Sequence, residues 1–143
     1  MTFPRRRLVI VLLVLAAALV VAYWTAWYVH RPWVASSTEP SYEDFENAFP
    51  LADGWLALTA LLAAEALHRH RPTALLWLLA AGAAGIYLAC MDVLYDLQHH
   101  VWWDGGSGGL VELAINVVTV GLSLTGLVLG WRYRRDLLEG APH

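Results

Sequence analysis

The chain has 143 residues, of which 59% are hydrophobic and 15% charged, and its net charge is −3. Soluble domains are nearer half apolar and a quarter charged, so a mean hydropathy of +0.51 excludes a soluble globular enzyme and a disordered or collagen-like chain. The weak negative charge argues against a nucleic-acid partner.

Four apolar stretches are long enough to cross a bilayer: residues 8–28, 51–67, 73–97 and 110–131. A crossing takes about 20 helical residues, and strands of this length cannot close a small barrel. The expected fold is therefore all-α, a single domain over 1–143 built as an integral membrane four-helix bundle. Before the first span stands the basic cluster Arg5–Arg7. A signal peptide would have a shorter apolar run, about 7–15 residues, so the first span is expected to stay uncleaved.

Between spans one and two, Ser41-Tyr42-Glu43-Asp44 fits a capping box. Tyr42, Phe45 and Phe49 fall on one face there, with Glu43, Asp44 and Glu46 mostly facing away. This predicts a short amphipathic helix in the first outer loop. The turn His68-Arg69-His70-Arg71-Pro72 is tight and makes spans two and three an antiparallel hairpin. The second outer loop, 104–109, is glycine-rich and expected to be flexible.

Eight arginines flank the spans on one side, and Arg31 stands alone on the other. The positive-inside rule places both termini in the cytoplasm and the protein in the cell membrane, with the lipid bilayer as its first partner. Trp24, Trp27, Tyr28, Trp33, Trp55, Trp102 and Trp103 gather at the outer ends of the spans, as an aromatic belt does.

Polar residues inside the spans carry the functional signal. An ion at a span centre costs about +2.5 to +3.5 kcal/mol on insertion scales, so such groups face inward and mark function. In span three, Gly85, Ala89, Asp92, Asp96 and His99 share one helical face. In span four, Glu112, Asn116, Thr119, Ser123, Gly126 and Gly130 do the same. Tyr23, Trp27 and His30 share a face of span one, and Asp53 sits above Ala57, Ala60 and Ala64 in span two. Counted from the outer ends, Asp53, Asp96 and Glu112 form one layer. Asp92, Asn116 and Tyr23 form a second, about 6 Å deeper at 1.5 Å per residue. Matched layers predict an acidic pocket opening outward, with His99, His100 or His30 at its mouth.

Several chemistries suit such a pocket. Asp92, Asp96, His99 and Glu112 offer hard oxygen and imidazole ligands for a divalent metal of the Mn, Fe, Zn or Ca type. Alternatively, neighbouring carboxylates share a proton. An acid and a base then stand together, as an isomerase or cyclase acting on lipid-like substrates requires, with Asp92, Asp96 and Glu112 as catalytic groups. Asp53, His99, Asn116, Tyr23, Trp27 and His30 would line the ligand. The reading carried furthest is binding of a small cation or an amphiphilic, lipid-like ligand, extended to acid–base catalysis. The alternatives are a non-catalytic partner subunit and a proton- or cation-coupled transporter that works as an oligomer, because the polar stripe stops halfway across. Gly126 and Gly130 form a GxxxG that would let a second copy approach closely. Without lysine there is no retinal or pyridoxal Schiff base. One cysteine, Cys90, leaves no internal disulfide and no CxxCH, and the histidines lie at the outer edge, so no haem is expected. No NAD site is expected either.

Overall fold

A computed structural model of the chain describes residues 6–35, 37–103 and 107–139. Among the described residues six α-helices follow one another: α1 (Arg6–His30), α2 (Pro40–Glu46), α3 (Pro50–His68), α4 (Ala74–Gln98), α5 (Ser107–Arg132) and α6 (Arg134–Glu139). Short 3-10 turns at Arg31–Trp33 and Val101–Trp103 follow α1 and α4. Helices α1, α3, α4 and α5 lie in the four segments that are long and apolar enough to cross a membrane.

Helices α1, α3 and α5 run beyond the apolar stretches that announce them, and α4 is displaced by one residue from its own. The largest difference is at α5, which begins at Ser107, so residues 107–109 are helical and not loop. The reason is at Gly109, where a Cβ would collide with the backbone of Val101 and Trp102. A residue without a side chain lets the start of α5 lie against the preceding turn. The remaining glycine-rich residues, 104–106, lie outside the described residues.

The capping box does not form. Pro40 takes the first helical position of α2, Glu39 is the N-cap, and no side chain caps it. Proline is pre-organised for that position and needs no partner for its nitrogen. Tyr42 of α2 and Phe49, the N-cap of α3, pack with Trp24, Trp27 and Leu88, with Phe45 and Tyr95 against them.

The tertiary arrangement is a central hairpin with one helix on each flank. Helix α3 packs closely on α1 and α4, and α4 packs closely on α5. Among the described residues α1 and α5 make no comparable backbone approach. Burial follows this order: 39% of the most apolar stretch is buried in the α3 segment and in α4, against 11% in α1 and 17% in α5. The flanking helices thus present most of their apolar surface outward, where lipid tails would solvate it.

Close packing relies on small residues. Ala17, Ala57, Ala60 and Ala81 join α1, α3 and α4 in mid-bundle. Gly82 and Gly85 bring α4 against Leu127 and Ser123 of α5, with no room for a side chain. Small residues give helices in lipid their van der Waals contact. At the arginine end, Leu137 of α6 tucks under the hairpin against Ala63, Ala66, Leu67, Ala74 and Leu78. The tight turn after α3 is closed by Arg71 N–H donating to Ala66 C=O at 2.8 Å, with His70 in the left-handed region at φ 54°. His70, exposed in this turn, also contacts the Arg6 guanidinium. Glu65 pairs with Arg69 one helical turn on, at 3.2 Å, as its spacing predicts.

Candidate functional site

Glu46, Asp53, Asp92, Asp96 and Glu112 lie within electrostatic reach at the end of the bundle away from the α3–α4 turn and its Arg69 and Arg71. Four contacts build this end. Asn116 Nδ2 of α5 donates to Asp96 Oδ2 of α4 at 2.7 Å. Trp102 Nε1, from the turn after α4, donates to the same oxygen at 2.8 Å. Trp24 Nε1 of α1 donates to Asp53 Oδ2 of α3 at 2.8 Å. Tyr23 Oη of α1 donates to Glu46 Oε2 of α2 at 2.8 Å. Each bond crosses between elements and gives a carboxylate a donor that lipid cannot supply.

Asp96 is the most enclosed acid, 5% exposed, and Asn116 is 3% exposed. Asp92, one turn along α4, is half-buried. No hydrogen-bond donor among the described residues reaches it. It stands within electrostatic reach of Glu46, Asp53, Glu112 and Asp96. Tyr23 is within electrostatic reach of Glu112. The single arginine at this end, Arg31, pairs with Glu43 at 2.5 Å and lies over the Trp27 ring.

The two-layer arrangement expected from depth counting is replaced by a diagonal one. Asn116 was placed level with Asp92, yet its hydrogen bond goes to Asp96. Side chains tilt towards the N-terminus of their own helix. Helices α4 and α5 are antiparallel, so Asp96 leans into the bundle while Asn116 leans out of it. The two tilts close the step that the backbone count put between them.

The tryptophans divide into two sets. Trp33, Trp55 and Trp103 are well exposed, as belt residues are. Trp24, Trp27 and Trp102 instead donate to Asp53, Asn47 and Asp96. Trp27 is buried to 1% exposure. An indole N–H is an obligate donor, so a buried tryptophan beside an acid serves as its partner.

Glu46 is the residue that helix periodicity misplaced. Expected to face away with Glu43 and Asp44, it is half-buried and held by Tyr23.

The histidines stand apart from the acids. His30 is exposed and packs edge-on to Trp33. His99 is exposed and stacks on Tyr95 at 4.1 Å, and Tyr95 stacks on Phe45 at 4.0 Å. Among the described residues no three His, Cys, Asp or Glu side chains come together to hold a metal ion. Asp92, Asp96, His99 and Glu112 are thus not gathered as a ligand set. A shallow groove of about 350 Å³ lies elsewhere, between α3 and α4, lined by Ala52, Trp55, Ala80, Ala83, Ala84, Tyr87 and Leu88, and contains none of the acids.

The arrangement can concentrate negative charge in an apolar setting and present hydrogen-bond acceptors beside aromatic rings. No protein-family model matches the chain, and neither a curated protein nor a solved structure matches it.

Proposed function

We propose that the protein sits in the cell membrane with both termini in the cytoplasm, and that its outward-facing acidic end binds a small cation or the charged head of an amphiphile. One observation carries this reading. Glu46, Asp53, Asp92, Asp96 and Glu112, from four different helices, share one electrostatic neighbourhood, while Arg31, the only arginine at that end among the described residues, is engaged by Glu43. Grouped carboxylates repel one another in a low-dielectric setting, and a bound cation relieves that repulsion. Aromatic rings around them add cation–π attraction.

Asp92 is the residue to test, because no hydrogen-bond donor among the described residues reaches it. Thermal unfolding of the protein in lipid nanodiscs would be followed with Na⁺, Ca²⁺, octylammonium and uncharged octanol. A ligand that binds only the folded state raises stability by mass action. At least one cation should stabilise wild type and not Asp92→Asn, and octanol should stabilise neither. Indifference of wild type to every cation would overturn the reading and favour a partner subunit.

A further inference from the structure

The end of the bundle around the α3–α4 turn gathers more cations than acids. Leu137 of α6 packs there with residues of α3 and α4, and Val9, Leu129 and Tyr133 lie against the same cluster, so α1, the turn and the α5–α6 corner meet at one place. They bring Arg6 and Arg7, Arg69 and Arg71, and Arg132, Arg134 and Arg135 to that end. The acids there, among the described residues, are Glu65, Asp136 and Glu139. Glu65 is taken by Arg69 at 3.2 Å, with Arg71 at 4.0 Å. Arg134 folds back on α5: its guanidinium lies over the Trp131 ring, 4.5 Å from the centroid, and donates to Trp131 C=O at 2.8 Å. Arg7, Arg132 and Arg135 are exposed, and no acid among the described residues pairs with them.

We propose that this end holds the headgroups of anionic phospholipids, with Arg132 and Arg135 at the α5–α6 corner as the principal contacts. The inference is independent of the acidic end. Charge complementarity is its first argument. Arginines outnumber acids here by seven to three among the described residues, and basic clusters of this size beside a membrane span attract anionic lipid. The setting is its second argument, because it names a lipid as the source of the anion. Helix α5, long and apolar enough to cross a bilayer, ends at Arg132, which puts the corner at headgroup level. Trp131 adjoins Arg132, and Leu138 lies one helical turn from Arg135; they are 63% and 55% exposed. Apolar surface and positive charge thus stand side by side, as tail and headgroup do in a lipid. A free phosphate ion would instead need an enclosed cradle. The recess at this end, between Arg6, His70, Arg71, Asp136 and Leu137, measures about 10 Å³, room for no more than one water.

The test titrates the full-length protein in mild detergent with dioctanoyl phosphatidylglycerol, dioctanoyl phosphatidylcholine and inorganic phosphate, read by thermal unfolding and by native mass spectrometry. The two lipids share their tails and differ in net charge. Phosphatidylglycerol should raise the unfolding midpoint and bind wild type about tenfold more tightly than phosphatidylcholine. That preference should shrink in about 1 M salt, because the cations involved are exposed. Inorganic phosphate at the same concentration should not shift the midpoint. Arg132→Gln/Arg135→Gln should remove most of the preference, and Arg132→Lys/Arg135→Lys, which keeps the charge, should retain it. Equal affinity of the two lipids for wild type would overturn the proposal, and this comparison needs no variant. Stabilisation by inorganic phosphate equal to that by phosphatidylglycerol would put a free anion in place of the lipid and overturn it as well. A preference undiminished in the glutamine variant would overturn the role given to Arg132 and Arg135, and its loss in the lysine variant would overturn charge as the cause.

Discussion

Trp24 and Asp53 are joined by a 2.8 Å hydrogen bond that ties the end of α1 to the first turn of α3. Trp24 is 9% exposed and packs with Trp27, Tyr42, Phe49 and Leu88. The bond therefore anchors an aromatic cluster and satisfies an acid in one contact. Trp24→Phe keeps the ring packing and removes the donor. Hydrogen bonds to charged groups contribute about 1.5–3 kcal/mol. Trp24→Phe should lower the unfolding free energy in detergent by that order, read as a drop in the thermal midpoint, and the double variant Trp24→Phe/Asp53→Leu should recover part of the loss. Unchanged melting of Trp24→Phe would mean that Asp53 is satisfied by water.

A double-mutant cycle on Asp96 and Asn116 should report direct coupling. Asp96→Ala strips Asn116 and Trp102 of their shared acceptor. Asn116→Ala removes one of the two donors. Contacting pairs couple by about 0.5–3 kcal/mol. The combined variant should accordingly lose less stability than the two single losses added together. Strict additivity would indicate that the two helices do not meet at this point.

The glycines of α4 and α5 should separate by role. A Cβ at Gly85 meets the Ser123 side chain, whereas a Cβ at Gly126 meets nothing within 4 Å. Gly85→Ala should destabilise the protein by about 1–3 kcal/mol through overpacking, with partial rescue by Ser123→Gly. Gly126→Ala should leave the stability of the monomer unchanged or improve it by about 0.5–1 kcal/mol, the ordinary helix gain. If a second copy docks through the GxxxG face, Gly126→Ala will weaken that association in crosslinking while the monomer remains intact.

Topology is open to labelling. Cys90 is the only cysteine in the chain and is exposed, so Cys90→Ser provides a clean background. Thr38→Cys in that background, at an exposed position between α1 and α2, should react with a membrane-impermeant maleimide added to intact cells. Reaction only after the cells are opened would place the acidic end in the cytoplasm.

Much of this architecture is legible along the chain, because it depends on local quantities. Span number and length follow from counting apolar residues against bilayer thickness. The Glu65–Arg69 pair follows from helical spacing. The stripes at Gly85, Asp92 and Asp96 and at Asn116 and Ser123 follow from the 3.6-residue period. The tertiary structure decided what periodicity leaves open. It drew Trp24, Trp27 and Trp102 out of the belt as donors, and it turned Glu46 inward onto Tyr23. It set Asn116 diagonally against Asp96, and it pressed Gly85 rather than Gly126 against a neighbouring helix. Each of these outcomes depends on how one helix is rotated and shifted against another. A helical period places a residue on a face, but which atom that face meets is set by packing between segments distant in sequence. That is why the acids could be found from the sequence while their partners could not.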